Sequence, residues 1–182
     1  MIKDLIVKDN FFDNPHKILA LAKAQKYYPP SADQNWVGMR SGSLPDILNN
    51  EDSQYIYEAI SKHIFHEYLN GRSDYSFKYD AELYFHYLDE TEKHNPNFFH
   101  QDHSLMAGVV YLSENPQIDS GTVILENDVE RRIDNVFNRC VLYNSNYFHT
   151  ALNGFGKTVE DVRLTLTIFF NEVHIIKPKL RG

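Results

Sequence analysis

From Ser76 onward the chain changes period. Phe77, Tyr79, Ala81, Leu83, Phe85 and Tyr87 alternate with Lys78, Asp80, Glu82, Tyr84 and His86, and a period of two predicts a long β-strand. Further strands are predicted at Phe98–His103, Met106–Ser113, Thr122–Leu125, Val136–Tyr143 and Arg163–Asn171. Turn residues such as Asn95-Pro96, Asn115-Pro116, Ser120-Gly121 and Asn153-Gly154 separate them. The first part of the chain is different. After an apolar strand candidate at Leu5–Val7, Asp13-Asn14-Pro15 reads as a helix start, and Ile18, Leu19, Leu21 and Ala22 predict a mostly apolar helix ending near Tyr27. Residues 31–45 read as loop, with Trp36, Gly38, Arg40 and Gly42 in it. A second helix is predicted between Glu51 and Leu69, carrying Ile56, Ile60, His63, Ile64 and Tyr68, with Gly71 as its stop signal. Two helices followed by antiparallel-looking strands predict an α+β domain, a jelly roll flanked by helices.

Composition narrows the picture. The 182 residues have the size of one domain, with a helical buttress over about 1–75 and a jelly-roll core over about 76–171. The 12 Tyr and 12 Phe suit a core that keeps hydroxyls near a cavity. A net charge of -7 disfavours attraction to phosphate backbones or anionic lipid, so neither nucleic acid nor membrane is an expected partner. No apolar run approaches the roughly 20 residues that span a bilayer. The lone Cys140 and an N-terminus without signal-peptide layout set the expectation of a cytoplasmic protein.

Three residues carry the sharpest chemistry. His100 and Asp102 are two apart in a predicted strand, so their side chains leave one face and can touch one ion. His149 follows the strand ending at Tyr143. Two imidazoles and one carboxylate form the facial triad of a non-haem Fe(II) centre, which leaves three adjacent coordination positions open. Further on, alternation puts Arg163, Thr165 and Thr167 on one face and Leu164, Leu166, Ile168 and Phe170 on the other. An arginine pointing into a barrel needs an anion, and its planar fork suits a carboxylate, to which Thr165 can add a hydroxyl. The apolar face needs a covering layer, which the two helices provide.

In this order His100-Gln101-Asp102, Val109-Val110-Tyr111-Leu112-Ser113, Ser120-Gly121-Thr122, His149 and Arg163-Leu164-Thr165 resemble the iron(II)- and 2-oxoglutarate-dependent oxygenases, in particular the prolyl 4-hydroxylase-like branch, over roughly residues 76–171. Asp13-Asn14-Pro15 and Trp36-Val37-Gly38-Met39-Arg40 are similar to the leader of some bacterial and phage members. The stretches Tyr87–His100 and His149–Arg163 are longer than the family's usual ones. The resemblance implies a double-stranded β-helix in which His100, Asp102 and His149 hold Fe(II) and carry catalysis. It implies 2-oxoglutarate and O2 as co-substrates, with Arg163 and Thr165 on the far carboxylate, ascorbate as a reductant, and succinate and CO2 as products. A tyrosine contact to 2-oxoglutarate falls to Tyr84 or Tyr87, with Tyr87 the choice. The hydroxylated substrate stays open between a peptidyl residue and a small molecule. The alternative is a non-catalytic, cupin-like protein binding a metal or metabolite in the same pocket.

Other signals have plainer readings. His100 and Asp102 can simply pair with each other. His63, His66 and Glu67 share a helical face but lack the order of a zinc-protease motif, so an amphipathic face is expected. His103 should point away from the triad, His86 belongs to a polar strand face, Cys140 is expected in the core, and Arg40 in solvent. Lys177, Lys179 and Arg181 read as a solvated basic tail.

Overall fold

A computed structural model describes residues 5–34, 36–65, 76–127 and 129–176. In chain order its elements are β1 (Leu5–Lys8), α1 (Pro15–Lys23), β2 (Met39–Arg40), α2 (Leu44–Ile47) and α3 (Asn50–Ile60) with a π-helical turn over Ser61–Phe65. Then come β3 (Ser76–Leu88), β4 (Met106–Tyr111), β5 (Thr122–Glu126), β6 (Val129–Ile133), β7 (Cys140–Asn144), β8 (Phe148–Ala151) and β9 (Arg163–Ile176). His66, Glu67, Tyr68, Leu69, Gly71, Lys177, Lys179 and Arg181 lie outside the described residues.

The strands form two antiparallel sheets, a larger one ordered β1-β7-β4-β9-β3-β2 and a smaller one ordered β6-β5-β8. This is the predicted jelly roll, a double-stranded β-helix. β3 and β9 pair along their lengths, from Ser76 opposite Ile176 to Leu88 opposite Arg163. The register slips between Asp80 and Ala81, where Asn171 is the extra residue on β9. Asn171 turns its amide to Asp80 and Glu82.

The outer face of the larger sheet is apolar, as the alternation required. Leu83, Phe85, Leu164, Leu166, Ile168 and Phe170 pack in one cluster with Ile18, Leu19 and Ala22 of α1 and with Ile56 and Ile60 of α3. The helices are therefore the covering layer. α1 starts where Asn14 accepts a hydrogen bond from the Lys17 amide ahead of Pro15. It stops at Lys23, short of the expected Tyr27, whose hydroxyl reaches back to the Ala22 carbonyl. Asn49 caps α3 on the Asp52 amide. Cys140 is fully buried, and burial pushes its thiol pKa far up, as fits a core residue.

Two predicted strands are corrected. Residues 98–103 contribute a single bridge, His100 to His149, rather than a strand. The strand expected from Val136 begins at Cys140, because Asn138 takes a left-handed conformation (φ 62°) and spends its side chain clamping both main-chain groups of Phe12. Among the described residues no helix is long and apolar enough to cross a membrane.

Candidate metal centre and cavity

The segment before β4 lies against the start of β8. His100 and His149 exchange main-chain hydrogen bonds at 3.1 and 2.9 Å, and the Asp102 amide donates to the Ser145 carbonyl at 3.2 Å. The tight turn from Asn144 to Tyr147 places His149 there. Residues far apart in sequence thus become neighbours across one rung of backbone. One ligand atom each from His100, Asp102 and His149 falls within 4.8 Å of the others.

The donor atoms fit a cation. His149 Nδ1 sits 3.0 Å from the Tyr147 carbonyl, which can only accept, so Nδ1 carries the hydrogen. In the neutral ring Nε2 is then an acceptor, and it faces Asp102 Oδ2 at 3.2 Å. That carboxylate oxygen is buried and has no hydrogen-bond partner. Two acceptors at this distance repel unless something positive lies between them. An octahedral ion with bonds of about 2.1 Å has adjacent donors about 3 Å apart, close to this edge. His100 Nε2 stands 4.0 Å from Asp102 Oδ1. Burial and then the neighbouring His149 lower the His100 pKa, which keeps its ring a neutral, lone-pair donor.

The three side chains open onto a cavity of about 580 Å³ between the sheets, in the range of roughly 300–1,000 Å³ usual for small-molecule sites. Arg163 lines it at the start of β9, buried to 2% exposure. Its Nε donates to the Ser120 carbonyl and Nη2 to the Gly121 carbonyl at 2.9 Å. Gly121 permits this turn, since a Cβ there would collide with the Ile133 carbonyl oxygen. The Tyr111 ring lies 5.6 Å from the guanidinium, and the Tyr111 hydroxyl meets Thr122 Oγ1 at 2.7 Å. Burial lowers the Arg163 pKa, and no carboxylate among the described residues pairs with it. A guanidinium has five N–H donors, so two carbonyls leave room for an anion.

Two expectations are revised. Thr165 shares the Arg163 face, but its hydroxyl donates to the His86 carbonyl and the residue is not part of the cavity wall; Thr122 is. Tyr87 points to the helix-covered face, its ring 4.9 Å from Tyr27, because β3 alternation puts His86 and Leu88 on the cavity side instead. Tyr143 lines the cavity, its ring 4.6 Å from His149, and burial followed by the Asp102 charge holds its phenol pKa well up and the group neutral. Tyr111 was within reach of sequence reasoning: it shares the inward phase of Ala107 and Val109 on β4.

Several residues outside the triad also reach the cavity. His103 sits on its exposed rim rather than facing away. His86 is on its wall with Nε2 at 2.6 Å from the Val37 carbonyl, and burial, then Arg40, push its pKa down to about 3. Arg40, expected in solvent, lines the same wall. The long connection after β3 forms part of the rim through Glu92, Lys93 and Asn95. It is pinned by Gly154 N to Glu92 O and by His94 N to Asn153 Oδ1, both 2.8 Å.

No family model matches the chain. No curated protein matches it either. Solved structures do. The non-heme alpha ketoglutarate dependent epimerase SnoN from nogalamycin biosynthesis aligns at a TM-score of 0.65 and 12% identity, over 98% of this chain and 82% of that one. A Pseudomonas putida prolyl-4-hydroxylase aligns at 0.56 and 18% identity, over 93% and 92%. HygX from Streptomyces hygroscopicus aligns at 0.55 and 10%, over 98% and 84%. At these identities the likeness is one of fold: the chain has the double-stranded β-helix found in iron- and 2-oxoglutarate-dependent oxygenases.

Proposed function

We propose that the protein is an Fe(II)- and 2-oxoglutarate-dependent dioxygenase, a hydroxylase that releases succinate and CO2. The observation that carries this reading is the facing pair of acceptors, His149 Nε2 and Asp102 Oδ2, beside His100 and in one cavity with the buried, carboxylate-free Arg163. Solved neighbours support it: SnoN has been seen with Fe3+ and alpha ketoglutarate, and HygX with nickel and 2-oxoglutarate.

In this reading His100, Asp102 and His149 hold iron. Bound iron supplies oxygen activation coupled to oxidative decarboxylation of 2-oxoglutarate. The chain's part is positioning. The Tyr147 carbonyl fixes the His149 tautomer so that its lone pair meets the ion. Arg163, held by Ser120 and Gly121, receives the far carboxylate of 2-oxoglutarate, with the Thr122 and Tyr111 hydroxyls beside it. One carboxylate and two neutral imidazoles leave a net positive centre, which favours an anionic chelator. Helical buttress and sheets act as one unit, because the helices bury the outer face of the sheet whose inner face carries Arg163.

Aerobic incubation with Fe(II), ascorbate and 2-oxoglutarate, alone and with a metabolite and peptide panel, tests this. Succinate above the no-protein control is expected. Metal and 2-oxoglutarate binding without succinate in any condition would instead establish the cupin-like binding protein.

A further inference from the structure

At the β2 edge of the cavity a second arginine is unpaired. Arg40 stands directly opposite His86 in the β2–β3 pairing, on the cavity side. Its guanidinium carbon lies 4.5 Å from the Trp36 ring, 5.1 Å from Tyr84 and 5.7 Å from Phe169. Those π faces hold the cation but accept no conventional hydrogen bond. Among the described residues no carboxylate comes within ion-pair distance; Asp102 and Glu82 act only through space. Arg40 Nε is buried without a hydrogen-bond partner, and so is Trp36 Nε1 on the same wall. Two buried donors left unsatisfied side by side are costly unless a ligand accepts from them.

This place is distinct from the co-substrate end. Arg40 stands across from His86, and His86 across from Thr165, so both arginines belong to one cavity wall. Arg163 is turned to the Ser120 and Gly121 carbonyls, whereas the Arg40 guanidinium is turned to Tyr84 and Phe169, and His149 lies on the facing sheet. Cation size and shape select the ligand group. A planar guanidinium pairs with a carboxylate through two parallel hydrogen bonds. A doubly charged phosphate would meet one cation here while facing Asp102 and Glu82.

We infer that Arg40, with the Trp36 indole N–H, receives a carboxylate of the second substrate and orients that molecule toward the His100–Asp102–His149 centre. The inference rests on the proposed oxygenase reading for the role of the centre. The site itself can be scored without turnover. Phe98 and Val109 line the same cavity and would take the apolar body of such an acid.

Trp36 is the chain's one tryptophan, so its fluorescence reports on the site directly. Cyclohexanecarboxylate and the neutral cyclohexanecarboxamide, both transparent where indole is excited, would be titrated into the full chain loaded with Ni(II) and saturated with 2-oxoglutarate. A saturable change is expected with the acid, at least tenfold tighter than with the amide. The preference should vanish in Arg40→Gln and persist in part in Arg40→Lys, which keeps the charge without the fork. Equal binding of acid and amide, no response to the acid, or an unaltered preference in Arg40→Gln would each overturn the inference. So would displacement of 2-oxoglutarate by the acid in calorimetry, or an Arg40→Gln loss of 2-oxoglutarate affinity as large as its loss of acid affinity. Failure of metal or 2-oxoglutarate binding in the wild type would instead sink the oxygenase reading, and the same titration on the metal-free chain would still score the carboxylate site.

Discussion

The two faces of the larger sheet come from the same strands and obey opposite rules. On the outer face Leu83, Phe85, Leu166, Ile168 and Phe170 meet the helices with no polar atom among their side chains. On the inner face Arg163, Thr167, Phe169 and His86 line a hollow, and polar atoms at and around it, such as Asp102 Oδ2, Arg40 Nε and Trp36 Nε1, lack partners. One residue's step along β9 passes from close packing to a buried guanidinium. Stability is concentrated on the first face and unmet polar demand on the second, so substitutions on the two should fail in different ways.

The largest separation is expected from Asp102→Ala. It removes the anionic ligand, so metal affinity should fall by more than about 100-fold, since loss even of a residue behind a metal ligand costs 10–100-fold, and succinate should no longer form. Unfolding in urea should be unchanged or slightly harder, because a buried carboxylate oxygen without a partner is lost with the side chain. Isothermal titration with Mn(II) and a denaturation curve check the two halves. A folded variant that still binds metal as the wild type does would remove Asp102 from the centre.

Phe170→Ala is the mirror case. Its ring is 1% exposed and packs edge-on to Phe65 and Tyr79, so a loss of about 3–5 kcal/mol is expected in urea. Where the variant remains folded, 2-oxoglutarate affinity should hold.

Arg163→Ala tests the boundary, because that side chain serves both faces' interests. Losing a desolvated charge pair should weaken 2-oxoglutarate binding by about 2–5 kcal/mol. Leaving the Ser120 carbonyl without a donor, while Gly121 keeps the Leu152 amide, should cost about 1–3 kcal/mol of stability as well. A calorimetric titration showing 2-oxoglutarate affinity intact would place the co-substrate carboxylate elsewhere.

How much of this was legible in the sequence follows the same division. The outer face was readable because burial imposes a period on β3 and β9 that any chain must show. The inner face was readable only where a residue type is costly without a partner, as with Arg163 or the His-x-Asp pair. Thr165 and Tyr87 were misplaced for that reason. A threonine can satisfy itself on a neighbouring carbonyl, and an aromatic phase on β3 says which face is apolar, not which face holds the ligand. Arg40 was unreadable because its position depends on Tyr84 and Phe169, both distant from it in the chain. β8 is only four residues long and β6 is a charged, mostly exposed edge, so neither carries a hydrophobic pattern.

A titration sharpens the contrast at moderate cost. His86 is held neutral in the fold, its pKa near 3 against an ordinary 6.5. Above about pH 6.5 the ring is neutral folded and unfolded alike and adds no pH dependence. As pH falls from there toward 3, the unfolded chain takes up the proton first, so stability declines across that window. In His86→Gln the decline should be shallower, read from urea midpoints at pH 7.5, 5.5 and 4.5. Parallel slopes would mean that His86 protonates freely in the fold.

The smallest expected effect lies farthest from the cavity. Asn14 caps α1 on the Lys17 amide at 3.2 Å in a solvent-exposed turn. Asn14→Ala should therefore cost about 1 kcal/mol, seen as a lower urea midpoint with an unchanged slope. The helix it caps packs its apolar side, Ile18, Leu19 and Ala22, on the outer face. If the two faces are as separable as their packing indicates, this variant binds Mn(II), 2-oxoglutarate and cyclohexanecarboxylate with wild-type affinities. A shift of more than about twofold in any of them, under 0.5 kcal/mol, would show that strain in the buttress reaches the cavity through β9, and the division drawn between the faces would fail there first.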